Sequence, residues 1–384
     1  MMRLLIDIRP LSKGTHSGIP AFTKEITERL IHSTTDSYEL FYPGLRKQRL
    51  PDLWIHHKNV SVIDWPIPNK LLDVSNKFFH RPNIGRHTSA EIIFSPHFNS
   101  LTKGKLPRVL VIHDLSFAHH PNFFSPKQRL WHFLQDWQKQ IREADHLVAV
   151  SHYTKEDIVK TLNIAPEKIS VVYPGISDEF RPLDPHDVEL LRFQKRHHLQ
   201  APYFLYFGTL ETRKNIIQLI AAFDLLKTNP DFKNHELVLA GAPGYRASEI
   251  VKAVARSKSK AAIRIISRIT DAERKFLYNG AIAFACTSFF EGFGFPVLEA
   301  QACGIPVVAS ARTSFIETLS NSAPLVSPWK PSELADALAR LTIDATARSQ
   351  AIALGFENVK RFRWETATHQ IHAILKKTHN AFYG

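Results

Sequence analysis

The strongest constraint in this sequence is a rhythm that runs through it twice. Apolar runs of strand length alternate with longer stretches of helical period. Such alternation predicts parallel sheets covered by helices, because a parallel connection must cross the face of its sheet and a helix makes that crossing. The first series reads strand RLLIDIR, helix IPAFTKEITERLI, then strands YELFYP, EIIFSP and RVLVIHD. It goes on with helix SPKQRLWHFLQDWQKQIREA, strand HLVAVS, helix YTKEDIVKTL and strand ISVVYPG. After Gly175 comes ISDEFRPLDPHD, rich in Pro and Asp as a linker would be. The alternation then restarts with strand YFLYFG, helix KNIIQLIAAFDLLK and strand HELVLAG, and runs on to helix VLEAQACG and strand IPVVAS. The expected fold class is α/β, with two Rossmann-like doubly wound domains, 1–183 and 184–363, facing a central cleft. Ligands of such sheets bind at the carboxyl ends of the strands. The amphipathic last segment, residues 364–384, is expected to pack back on the first domain.

Composition narrows the setting. A chain of 384 residues suits two domains of ordinary size. No stretch reaches the roughly 18 uncharged apolar residues of a spanning helix. The first apolar run is broken by Asp7, too early for a signal-peptide core, so a cytoplasmic protein is expected. Cys286 and Cys303 lie in apolar surroundings and read as buried, reduced thiols. The net charge of +13 is concentrated between Arg46 and Arg108, where eleven Lys and Arg face four Asp and Glu. Trp54, Trp65, Phe78 and Phe79 are interleaved with them. This pattern suits an anionic membrane surface or a nucleic acid, and equally a solvated face over core aromatics. Twenty histidines include three adjacent pairs, but none has metal-ligand spacing, and no metal is expected. There is no GxxxxGK[ST] loop, GxGxxG fingerprint or GxSxG elbow.

Four stretches carry chemistry. In YFGTLETRKNIIQLI a strand ends at Gly208, and Arg213 and Lys214 stand at the mouth of the next helix. Cations are disfavoured at a helix N-terminus unless an anion joins them, so a diphosphate is expected there. In SFFEGFGFPVLEAQACGIPVVAS, Glu291 and Glu299 flank a Gly-rich turn followed by a short helix. Gly292 and Gly294 would turn backbone N–H groups toward a ligand. A carboxylate can accept two hydroxyls at once, so Glu299 suits a ribose diol and Glu291 sugar hydroxyls. In VLVIHDLSF, His113 and Asp114 leave a strand end, a place where ligands bind. In THSGIPAFTKEI, Gly18 opens a helix and would let a phosphate approach.

Taken together, EGFGFPVLEAQACGIPVVAS, GTLETRKN, VVYPGISDEF, SGIPAFTKEI, VIHDLSF and FRWETAT resemble the retaining GT-B glycosyltransferases of the group 1, or family four, type. The resemblance runs from about Asp7 to Thr368 and keeps the family's order. It implies a nucleotide-sugar donor bound by the second domain and an acceptor bound by the first. Glu291 and Glu299 fall on the family's E-x7-E pair, one near the donor sugar and one on the ribose. Arg213 and Lys214 fall on the pair that holds the diphosphate, Gly18 on a loop that touches phosphate, and His113 near the transferred sugar. Amides around Phe293, Gly294 and Phe295 would complete the donor site. The family works without an essential metal or other cofactor, the departing phosphate helping to take the acceptor proton. HDLSFAHHPNFFSP looks like the bacterial mannosyltransferases of O-antigen and exopolysaccharide assembly, which points to GDP-mannose and to an oligosaccharide or lipid-linked acceptor. A UDP-sugar donor is the alternative. A GT-B epimerase or phosphorylase-like enzyme would share the architecture without the residues its chemistry needs. A nucleic-acid or membrane-surface binder would leave Arg213, Lys214, Glu291 and Glu299 without a role.

Overall fold

The computed structural model describes residues 1–13, 18–45 and 49–384. It divides into two compact units. One comprises Met1–Gly175 with Arg363–Gly384, and the other Ile176–Phe362.

Among the described residues, the first unit holds a seven-stranded sheet in the order β3-β2-β1-β4-β5-β6-β7, every pair parallel. Its strands are β1 Arg3–Asp7, β2 Ser37–Phe41, β3 Val60–Ile63, β4 Ile92–Ser95, β5 Arg108–Ile112, β6 His146–Ala149 and β7 Ile169–Val171. The central strands are apolar along nearly their whole length because helices cover both faces, so no side of the sheet meets water. All five residues of β5 are buried, Arg108 included. Arg108 is tolerated because its Nε donates to Ser95 Oγ at 2.8 Å, Nη2 to the Asn99 carbonyl at 3.2 Å, and Nη1 to Gln140. Burial pulls its guanidinium down to about 10, although nearby Asp7 opposes the shift.

The second unit holds a six-stranded parallel sheet in the order β10-β9-β8-β11-β12-β13. These strands are β8 Tyr203–Phe207, β9 Glu236–Ala240, β10 Ile263–Ile266, β11 Ala283–Cys286, β12 Val307–Ser310 and β13 Leu325–Val326. In each sheet the order reverses beside the first strand of the series, β1 or β8, which is where a doubly wound sheet opens a crevice.

Several details differ from the sequence expectation. The edge strands β3 and β13 were not anticipated, since one lies inside the basic stretch and the other is only two residues long. The single helix expected over SPKQRLWHFLQDWQKQIREA is broken. Where α1 is Gly18–Ser33 and α2 is Asn69–Phe79, the broken pair is α3 Pro126–Leu134 and α4 Trp137–Glu143. Asp136 stands between them at φ +49°, and its carboxylate pairs with Lys77 at 2.7 Å. The unit boundary falls after Gly175 rather than at 183. Residues 176–183 belong to the second unit because Ile176 N–H donates to the Phe362 carbonyl at 3.0 Å and Leu183 N–H to Asn279 Oδ1 at 2.8 Å.

The C-terminal helix, Trp364–Tyr383, packs on the first unit as expected from its amphipathic pattern. Trp364 is buried with its ring 6.0 Å from that of Phe22 on α1, and Ile371 and Leu375 are fully covered. His372 Nε2 lies 2.6 Å from Asp36 Oδ2, whose other oxygen accepts from the Met2 amide at 2.7 Å. Trp364→Ala should destabilise the first unit by roughly 3–5 kcal/mol. Amide hydrogen exchange should then show protection falling in α1 and the C-terminal helix but not in β8 to β12. Equal loss in both units would contradict this packing.

Candidate functional site

In the second unit, the site is built from the loops at the carboxyl ends of β8 and β11. Gly208, just after β8, has φ +148° and lies against the backbone of Gly241, after β9. A Cβ on Gly241 would fall 2.0 Å from the Gly208 carbonyl oxygen, so the two turns can meet only as glycines. Thr212–Lys214 makes one 3₁₀ turn, and α5 Ile216–Leu226 follows. Asn215 joins them at φ +54°, a conformation that Asn adopts more readily than most residues. Its Nδ2 donates to the carbonyls of Thr287 at 3.2 Å and Pro328 at 2.8 Å. Thr287 Oγ1 donates back to the carbonyls of Lys214 at 3.0 Å and Asn215 at 3.1 Å, and Phe289 N–H to that of Arg213 at 3.0 Å. The two loops are thereby riveted together.

This riveting brings Arg213, Lys214 and Glu291 into one ion network. Lys214 Nζ pairs with Glu291 Oε1, and Arg213 Nη1 lies 3.6 Å from Glu291 Oε2. Arg213 Nη1 also donates to the Phe290 carbonyl at 2.9 Å, while its Nε and Nη2 reach Glu211 Oε1 at 3.2 and 3.1 Å. Glu291 is buried, and its own backbone is fixed. Its N–H donates to Thr313 Oγ1 at 3.0 Å, and its carbonyl accepts from Ser314 Oγ at 3.0 Å. Burial alone would push the Glu291 carboxyl up, but Lys214 and then Arg213 together hold it below its ordinary value. The network is a fixed pair of cations whose charge is balanced by two carboxylates. An incoming diphosphate would compete for those cations.

Gly294 ends the glycine-rich turn at φ +93°, where a Cβ would meet the Phe315 ring at 2.4 Å. Only glycine fits there. The rings of Phe293 and Phe295 meet edge to face at 5.0 Å, and Phe293 also packs on Phe362. Pro296 lies in the first turn of α7 Phe295–Ala302. Glu299 is on the next turn, buried, and belongs to a different network from Glu291. Its Oε1 pairs with Arg274, and its Oε2 accepts from Tyr278 Oη at 2.7 Å, both from α6 Asp271–Asn279.

In the first unit, His113 and Asp114 leave the carboxyl end of β5. His113 Nε2 lies 2.8 Å from the Pro96 carbonyl, which can only accept. The proton is therefore on Nε2, and the neutral ring presents its lone pair on Nδ1. Burial holds this imidazole below its ordinary value against the opposing pull of Pro96 and Asp114. Phe22 of α1 packs edge-on against it at 5.1 Å. Asp114 Oδ1 accepts from Ser116 N–H at 2.9 Å and Ser116 Oγ at 2.6 Å, so this carboxylate fixes the turn after the strand. Gly18 is exposed at the first position of α1, and residues 14–17 before it lie outside the described residues.

Residues 187–357 match the model for glycosyl transferases group 1, and residues 31–180 the model for glycosyltransferase family 4. This chain belongs to the group 1, family 4 glycosyltransferases. O-antigen chain mannosyltransferase B of Escherichia coli is 29% identical over 301 residues, which cover 78% of this chain and 74% of that one. O-antigen chain mannosyltransferase RfbU of Salmonella typhimurium is 28% identical over 222 residues, 58% of this chain. That alignment spans only 57% of the Salmonella protein's own length. Sucrose-phosphate synthase from Thermosynechococcus elongatus superposes with a TM-score of 0.76 at 18% identity, covering 99% of this chain and 100% of that one. The fold is GT-B.

The sequence pattern of this glycosyltransferase did not point to Glu211, Thr287, Thr313, Arg274 or Tyr278. It placed Asn215 beside Arg213 and Lys214 at the mouth of the helix, but not its bonds to the loop after β11. The basic stretch divides in two. Arg46 and Lys47 lie outside the described residues. Arg108 is buried, Arg49, Lys77 and Lys103 are ion-paired, and Trp54 is in the core. Lys58, Lys70, Arg81, Arg86 and Lys105 are exposed, and of these Lys70 and Arg81 flank in sequence Leu71, Phe78 and Phe79, which are 61%, 58% and 70% exposed. Both cysteines are buried, and burial pushes the Cys303 thiol up to about 12.

The Glu291 environment makes a pH prediction. Its carboxyl lies below its ordinary value in the folded chain, so the ionised form stabilises the fold above the unfolded value of roughly pH 4.3. That contribution is lost as pH falls through the lower, folded value. Lys214→Met should raise the Glu291 carboxyl, since it removes the largest influence that opposes burial and leaves Arg213 as the remaining cation. The variant should lose about 3–5 kcal/mol at neutral pH, where a buried charge has lost its main partner. Urea melts should show the gap to wild type narrowing as pH falls from neutral through the ordinary carboxylate range and on through the lower folded value of wild type, as Glu291 takes up a proton. A pH-independent gap would contradict the pairing.

Proposed function

We propose that this glycosyltransferase moves mannose from GDP-mannose, with retention at the anomeric carbon, to a saccharide on a lipid carrier during cell-surface polysaccharide assembly. The observation that carries the reading is the Arg213–Lys214–Glu291 network at the carboxyl ends of β8 and β11. Lys214 and Arg213 would neutralise the charge that develops on the departing diphosphate, as preorganised donors do in a site of low polarity. Two fixed cations make an essential metal unnecessary. Glu291 would hold sugar hydroxyls, and Glu299 the ribose. The departing phosphate would take the acceptor proton on the same face of the sugar, so no protein base is assigned. His113, with its lone pair on Nδ1, would accept a hydrogen bond from a sugar hydroxyl rather than donate a proton. Mannose as the transferred sugar is supported by the names of the two relatives.

A thermal-shift titration with GDP, UDP, ADP and their sugar conjugates, with and without EDTA, tests the donor. GDP and GDP-mannose should stabilise most, by mass action on the folded state, and EDTA should change nothing. Stabilisation by UDP-sugars alone would overturn the donor. Arg213→Ala and Lys214→Ala should each weaken GDP binding about tenfold or more, since each removes a charge-assisted bond. Glu291→Ala should abolish transfer. Wild-type turnover in any of them would contradict the site.

The lipid-linked acceptor and a place on the cytoplasmic face of a membrane are supported by α2. Leu71, Phe78 and Phe79 project with Lys70 and Arg81 beside them, the pairing of apolar and basic side chains that an anionic bilayer attracts. Among the described residues no helix is long and apolar enough to cross a membrane. The protein should sediment with vesicles containing phosphatidylglycerol at low salt, less at high salt, and F78S/F79S should reduce the sedimented fraction. Equal sedimentation with purely zwitterionic vesicles would contradict the role given to Lys70 and Arg81.

A further inference from the structure

Glu299 is buried, and both of the side chains that hold it come from one helix. Arg274 Nη2 pairs with Oε1 and Tyr278 Oη donates to Oε2 at 2.7 Å. The two donors share an aromatic box. The Arg274 guanidinium lies 5.0 Å from the Phe180 ring and 5.2 Å from that of Phe207. The Tyr278 ring meets the same two rings at 5.9 Å each. Phe180 comes from the 176–183 segment that enters the second unit ahead of β8, and Phe207 is the last residue of β8, one position before Gly208. The box thus ties Glu299 to the strand whose following loop carries Arg213 and Lys214.

We propose that Arg274 is a positioning residue for the ribose of the donor nucleotide, fixing Glu299 so that the carboxylate can take both ribose hydroxyls. An ionised carboxylate offers about four lone-pair sites, two on each oxygen. Arg274 occupies one on Oε1 and Tyr278 one on Oε2, which leaves one acceptor on each oxygen. That is the number a vicinal diol needs. Each donor also serves the charge. Burial works to discharge Arg274, but Glu299 and Tyr278 prevail and keep it cationic. Burial, reinforced by Glu299, keeps the Tyr278 phenol protonated and therefore a donor. Among the described residues the buried Arg274 Nε has no hydrogen-bond partner, so the guanidinium is placed for Glu299 at the expense of its own satisfaction. A lysine would keep the charge but would lack the planar guanidinium that suits contact with aromatic faces.

The proposal rests on the reading of Glu299 as the ribose ligand, and the test separates the two. Affinities are measured by calorimetry for GDP and 2′,3′-dideoxy-GDP, and side by side for UDP and 2′,3′-dideoxy-UDP, with wild type, R274L, R274K and Y278F. Wild type should bind its preferred ribonucleotide about tenfold or more tightly than the dideoxy analogue. R274L should lose about tenfold for the ribonucleotide and leave the dideoxy analogue nearly unchanged, with R274K between the two and Y278F weaker in the same sense. Thermal melts of each variant report folding, and the dideoxy analogue is an internal control for an intact site. Equal loss for both nucleotides in R274L, or no loss for either, would overturn the role of Arg274 while leaving Glu299 on the ribose. A wild type that does not distinguish ribo- from dideoxynucleotide would overturn the ribose reading itself, and the proposal with it.

Discussion

The contact on which the candidate donor site depends is the pairing of Lys214 with Glu291. A buried carboxylate is tolerated only with a partner, and a lysine beside a helix start is tolerated only with an anion. Each residue therefore justifies the other. The pair in turn requires that the loops after β8 and β11 stay together, which the reciprocal bonds of Asn215 and Thr287 enforce. Since β8 and β11 are neighbours in the sheet, the sheet itself sets the spacing of the loops. Glu211 completes the balance by taking Arg213 from the other side. The cations are thus rigidly placed before any ligand arrives, which is how preorganised charge stabilises a leaving group at little reorganisation cost.

Much of this was legible in the sequence because it follows from local rules. Alternating apolar runs give parallel sheets, and a glycine-rich turn before Pro296 gives a strand-turn-helix corner. Arg213 and Lys214 at a helix start pointed to an anion for the same reason that they now need Glu291. What escaped was non-local. Thr287 and Asn215 are 72 residues apart, and no period or composition connects them. The edge strand β3 hid in a charged stretch because it is only four residues long, VSVI, too short an apolar run to stand out, and none of its residues is fully buried. Arg274 and Tyr278 read as ordinary positions of an amphipathic helix.

The basic stretch shows how sequence composition mixes unlike things. Charge counting treats Arg108 and Lys70 alike. Arg108 is sealed inside the sheet, where its hydrogen bonds to Ser95, Gln140 and the Asn99 carbonyl serve the core. Lys70 stands in water beside Leu71. The aromatic residues divide in the same way. Trp54 is buried, and Trp65 packs edge-on against Phe41 at 5.2 Å, whereas Phe78 and Phe79 project from the end of α2. The excess charge available to a partner is therefore smaller than the composition implies.

The two glutamates make the same point about motifs. They stand eight positions apart, and the chain between them forms a turn and the first part of a helix, so their carboxylates enter different surroundings. Glu291 is held by cations from the loop after β8, the same cations that a diphosphate would claim. Glu299 is held by a cation from α6 that lies between two aromatic rings. Binding a diphosphate must therefore disturb the environment of Glu291, while that of Glu299 can persist. On the proposed function, one carboxylate would be coupled to the leaving group and would respond to the progress of transfer. The other would be insulated from it and would hold the nucleoside still.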